Sequence, residues 1–145
     1  MHFHNLVNHF PIIFPIAGII LLVLGLIYSS ELVKRIGYFF FILTAISTFL
    51  ALNSGEGAEE MVEKFYPSIA HTTIHDHEEK AEVLQWINSV LGVLSLVGIW
   101  VSWRTYSWRK IVFWGVLVVS LFTCYFGYEV GKSGGKIIHL ESSNS

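Results

Sequence analysis

The stretch V-L-Q-W-I-N-S-V-L-G-V-L-S-L-V-G-I-W-V-S-W, from Val83 to Trp103, contains no Asp, Glu, Lys or Arg. A helix of that length, rising about 1.5 Å per residue, covers the roughly 30 Å of hydrocarbon in a bilayer. Lipid offers no partner for backbone N–H and C=O groups, so the stretch must be helical rather than extended. Three more uncharged runs match it: Phe10 to Ser30, Ile36 to Gly55 and Ile111 to Tyr128. Spanning helices therefore use most of the 145 residues, in keeping with 53% hydrophobic and 15% aromatic residues and a mean hydropathy of +0.58. The expected fold is all-α, a four-helix transmembrane bundle of up-down topology. One membrane domain is expected over residues 1–141, with spans near 10–29, 36–54, 83–103 and 111–129 and a flexible tail over 142–145.

Charge sets the expected orientation. Lys34 and Arg35 follow the first span, and Arg104, Arg109 and Lys110 follow the third. Basic residues concentrated in short loops mark the cytoplasmic side. Both termini and residues 54–82 then face the periplasm or the cell exterior, with the chain in the cell inner membrane. Trp103, Tyr106 and Trp108 at the inner boundary and Tyr66, Trp86 and Tyr128 at the outer one suit the aromatic belts of a spanning protein. The first run has no Lys or Arg before it and is longer than a signal core, so it is expected to remain as a helix. A net charge of −2 argues against a nucleic-acid partner, and the single Cys124 cannot form an internal disulfide.

Inside the spans, Gly18 and Gly25 lie seven apart, and Thr44, Ser47, Ala51 and Ser54 alternate spacings of three and four. Small residues at these intervals let helices approach closely. Pro11 suits a first helical turn and Pro15 predicts a kink. No charged residue falls at mid-membrane, which argues against an ion-coupled transporter.

In this orientation all seven histidines and ten of the eleven carboxylates share the outer side. His75, Glu78, Glu82, Gln85, Ser89 and Gly92 are spaced three or four apart, forming a stripe that passes from ionisable to polar to small as it enters the membrane. Glu56, Glu60 and Glu63 share a face if a helix resumes after Gly57, and clustered carboxylates attract a cation. His9 stands where the first span enters lipid, where burial without a partner costs free energy. The glycines at 131, 134 and 135 would let the chain fold His139 and Glu141 back over the bundle mouth. Imidazole with carboxylate suits iron, copper or zinc, and two imidazoles from different helices suit haem b.

Four motifs carry a resemblance: His4-x4-His9-Phe-Pro, Ser54 to Glu60, His77 to Glu82, and the Gly-Gly-x-Ile-Ile-His ending at His139. Together they resemble an uncharacterised bacterial four-helix membrane family, domain of unknown function 2231, over nearly the whole chain. In that family the first histidine is often followed by proline, whereas Asn5 follows His4 here. The resemblance implies that His9, Glu56, His77, Glu78, Glu82 and His139 form one outer-face constellation. It favours His77, while the helical stripe favours His75. On one helix the two lie about 200° apart, so both cannot face inward. His77 is preferred, with His75 as the alternative.

The expected metal ligands are thus His9, Glu56, His75, His77, Glu78, Glu82 and His139, with His9, His77 and His139 also able to serve haem. The expected function is electron transfer or metal handling in the lipid bilayer, with a redox partner or a larger complex. The alternative is an accessory structural subunit without a cofactor. The sequence contains no HExxH motif, Gly-rich phosphate loop or recognisable nucleophile and base pair, so catalysis is not expected.

Overall fold

A computed structural model describes the backbone of residues 9–65, 67–104 and 107–143, and the side chains of residues 9–53, 75–104 and 107–133. Its described backbone forms four helices: α1 (Phe10–Ile27), α2 (Glu31–Phe65), α3 (Pro67–Arg104) and α4 (Arg109–Ser143). All four include a segment long and apolar enough to cross a membrane. Because hydropathy reports contact with lipid and not helicity, the last three helices run well beyond the uncharged segments. With 35, 38 and 35 residues, they reach about 50 to 57 Å at 1.5 Å per residue. α2 continues through Gly55 and Gly57, and α4 through Gly134 and Gly135, so neither glycine pair ends or turns its helix. Among the described residues no glycine has a positive φ. α1 likewise continues past Pro15, with Pro11 in its first turn.

Each helix packs on the next through a register visible in single contacts. Gly18 lies against Phe41 and Gly25 against Lys34, Tyr38 meets Gly98 and Ala45 meets Gly92, and Asn88 meets Thr123. Two glycines make close approach possible. A Cβ at Gly18 would stand 2.6 Å from Phe41 Cε1, and one at Gly98 would stand 2.9 Å from the Tyr38 ring. In lipid, where burial gives no hydrophobic drive between helices, such contact packing supplies much of the association energy. The buried apolar core joins Leu22, Tyr38, Phe41, Leu91, Phe113 and Val116.

The turn from α1 to α2 places Ser29 at φ 50°, and Ser30 Oγ accepts a long 3.4 Å bond from Val33 N–H. At this end Lys34 Nζ donates to Glu31 Oε1 at 2.9 Å and Arg35 Nε donates to Ser102 Oγ at 2.9 Å. Arg35 Nη2 also reaches the Ser102 carbonyl at 3.2 Å, while the Ser102 hydroxyl donates to Glu31 Oε2 at 3.1 Å. α2 and α3 are thereby tied at one end of the bundle. α1 and α4 meet more sparsely than any other neighbouring pair.

Candidate functional site

α3 turns one seam toward the other helices: His77, Ala81, Leu84, Asn88, Leu91, Ser95, Gly98 and Ser102, alternately four and three apart. From Leu84 onward every member is buried. This phase differs from the stripe that begins at His75. The His75 side chain is 80% exposed and lies 3.8 Å from Glu78, itself 45% exposed, and Glu82 is exposed too. The polar seam expected to run inward from His75 is therefore outward-facing at His75 and Glu82. The physical reason is the company each phase keeps deeper down, since only the His77 phase continues into Asn88, Ser95, Gly98 and Ser102, which are buried among helices.

His77 is half-buried, and its Nδ1 lies 2.8 Å from Ser133 Oγ on α4. The serine hydroxyl has a single proton and donates it to the Val130 carbonyl at 2.8 Å. With its proton on that carbonyl the serine accepts from the ring, the arrangement in which Nδ1 carries the proton and a neutral His77 keeps its lone pair on Nε2. A helix position alone would leave the imidazole free to rotate. The serine fixes both ring orientation and tautomer, which is how proteins brace a histidine for ligation or proton exchange.

One layer further in, Asn88 joins three helices. Its Nδ2 donates to Thr48 Oγ1 of α2 at 2.7 Å, and its Oδ1 accepts from Thr123 Oγ1 of α4 at 2.9 Å. Thr48 donates its own proton to the Thr44 carbonyl at 2.8 Å, which fixes the amide orientation. All of Asn88, Thr48 and Thr123 are buried. Neither Asn88 nor Ser133 stood out in the sequence. The available signal was their phase, because Asn88 lies eleven residues from His77, three helical turns along the same face. Between the layers, Gln85 Oε1 is buried without a hydrogen-bond partner among the described residues, and Ser95 Oγ is in the same state deeper in the helix.

The remaining candidates do not gather around His77 within the described residues. His9 is the N-cap of α1; its carbonyl accepts from Ile12 N–H at 3.2 Å and Ile13 N–H at 3.0 Å, and the residue is exposed with no side-chain capping bond. The Glu56 and His139 side chains lie outside the described residues, as do those of His71, Glu60, Glu63 and Glu141. Their backbones are helical. His139 follows Ser133 by six residues on a continuous helix, a rotation of about 240° at 3.6 residues per turn, so its Cα belongs to a different face of α4. Among the described residues, no three of His, Cys, Asp or Glu come together to hold a metal ion. What is present is one braced imidazole, a fit for a single nitrogen ligand of a transition metal.

Comparison with protein-family models, with curated proteins and with solved structures finds no match to this chain.

Proposed function

We propose that this is a multi-pass membrane protein, an up-down bundle with both termini on the outer side of the cell inner membrane, whose His77 takes part in binding a transition metal at the outer mouth. The single observation that carries this reading is the 2.8 Å contact between His77 Nδ1 and Ser133 Oγ, which reserves Nε2 for a ligand. Such an acceptor behind a histidine also raises its basicity as a donor. Glu56, on a helical segment that continues past the uncharged span of α2, is the proposed further donor. A bound iron or copper ion would supply one-electron chemistry and zinc would not, so metal handling and electron transfer both remain within this reading. The different faces of Ser133 and His139 on α4 favour a mixed His and Glu metal site over haem b held by His77 and His139. Membership of the family sharing the four outer motifs is part of the same proposal.

The test is elemental analysis and an absorption spectrum of the protein purified in detergent. Close to one equivalent of metal without a Soret band is expected. His77→Ala should abolish it, and the exposed His75→Ala should not. Ser133→Ala should weaken binding roughly 10- to 100-fold, the usual effect of removing a partner that orients a ligand. Equal metal content in wild type and His77→Ala would defeat the reading. The sparse α1–α4 seam favours a second reading, an accessory subunit of a larger membrane complex. That reading expects His77→Ala to be silent in metal content.

A further inference from the structure

Where α1 and α4 diverge, a groove of about 490 Å³ opens, lined by residues that include Pro11, Pro15, Ile16, Thr123, Gly127 and Lys132. Its walls are apolar nearly throughout. Thr123 is no exception, because its hydroxyl is engaged with Asn88 Oδ1 at 2.9 Å. The groove persists because α4 offers little to fill it: a Cβ at Gly127 would meet nothing within 4 Å, and one at Gly131 would only touch Ile12 Cδ1 at 3.8 Å. At Gly18 and Gly98 the missing Cβ serves helix contact, with neighbours at 2.6 and 2.9 Å. Gly127 instead leaves space beside a helix in a segment apolar enough to cross a membrane.

One end of the groove carries a cation. Lys132 is exposed, and among the described residues it has no carboxylate within ion-pair distance. The neighbouring acid of α4, Glu129, acts instead on Lys80 of α3, which already holds Asp76 at 2.7 Å. From Thr123 to Lys132 the groove follows α4 for roughly 13 Å, at 1.5 Å per residue. A groove that is apolar along its length and ends on an ammonium unpaired among the described residues matches the two parts of an anionic lipid, acyl chain and phosphate. We propose that it holds one anionic phospholipid, an acyl chain lying between α1 and α4 and the phosphate on the Lys132 ammonium.

Native mass spectrometry of the full chain in detergent, titrated with dioleoyl phosphatidylglycerol or dioleoyl phosphatidylcholine, tests this directly. A single phosphatidylglycerol should be retained about five-fold more tightly than phosphatidylcholine, the factor expected of one lysine at a lipid surface. Lys132→Ala should remove that preference. Gly127→Leu, whose side chain enters open space, should weaken both lipids, and Gly127→Ala should fall between it and wild type. Glycerol phosphate without chains should not compete. Equal retention of the two lipids in wild type, insensitive to Gly127→Leu, would mean ordinary annular lipid and overturn the proposal. Sensitivity to Lys132→Ala alone would reduce it to a surface contact and overturn the groove. A dimer that Gly127→Leu dissolves would assign the seam to a second copy of the chain and overturn it as well.

Discussion

Replacing Asn88 with Leu separates what the buried amide contributes from what the space it fills contributes. Leu has the same branching and side-chain heavy-atom count as Asn with somewhat bulkier tips, so no cavity opens and the change removes mainly two interhelical bonds, to Thr48 at 2.7 Å and from Thr123 at 2.9 Å. Interhelical hydrogen bonds in membranes average about 0.6 kcal/mol and reach about 1.7. The loss should therefore be about 1 to 2 kcal/mol, provided neither threonine is left unpaired. Thr48 already donates to the Thr44 carbonyl, and Thr123 can turn to its own helix in the same way. The reverse truncation is worse placed. Thr123→Val leaves Asn88 Oδ1 buried with its acceptor unused, and an unsatisfied buried group costs about 1 to 3 kcal/mol. The double variant Asn88→Leu/Thr123→Val should consequently be no less stable than Thr123→Val alone. Reversible unfolding in mixed micelles of dodecyl sulfate, followed by tryptophan fluorescence, measures all four corners of this cycle. Strict additivity of the two single changes, with no coupling beyond about 0.3 kcal/mol, would refute the claim that Asn88 binds α4 to α3.

Four other changes probe the packing and the opposite end of the bundle. Gly18→Ala should lower stability by about 1 to 3 kcal/mol because it overpacks against the buried Phe41 ring; Gly115→Ala, with nothing within 4 Å of the new methyl, should raise it by roughly 0.5 to 1 kcal/mol, and thermal unfolding in detergent reads both. Ser102→Ala should cost about 1 kcal/mol by removing the bond from Arg35 and the bond to Glu31, and Arg35→Lys should not substitute for arginine, since an ammonium cannot bond the Ser102 hydroxyl and carbonyl as a fork while lying 5.7 Å over the Trp103 ring.

The spans were legible because lipid imposes a simple rule on side chains: apart from Tyr28 to Ser30 in the turn from α1 to α2, the uncharged runs fall within four helices with membrane-crossing segments. Helix ends were not, since a charged or glycine-bearing segment outside lipid can remain helical, as at residues 54–65 and 134–143. The site was half legible. Spacings of three and four from His75 define a face as regular as that from His77, and periodicity alone does not say which face is inward. Composition further along does: the His77 face reaches Gly98, against the Tyr38 ring, and Ser102, bonded to Arg35. No pattern within one helix could name Ser133 as the partner of His77, because that pairing depends on how far α4 is shifted along α3. Thr44 and Ser47, chosen for their small size, are buried, with hydroxyls turned back to the carbonyls of Phe40 and Thr44.

The three polar levels of the α3 seam explain how the His77 imidazole can be held in one pose by a bundle that has little hydrophobic drive of its own. His77 meets α4, Asn88 meets α2 and α4, and Ser102 meets α2. Sliding α3 by one helical turn along either neighbour would unpair Asn88 in a medium without water, whereas the apolar layer of Leu91, Phe41 and Val116 could repack after a slip. The polar contacts therefore fix register, and the close glycine contacts fix distance. Register is what the candidate site requires, because a shift of about 5.4 Å, one turn, would carry Ser133 out of reach of Nδ1 and release the ring. A change at Asn88, well below His77 along the helix, should thus loosen the imidazole without touching it, so the stability cycle and the metal measurement report on one mechanical unit.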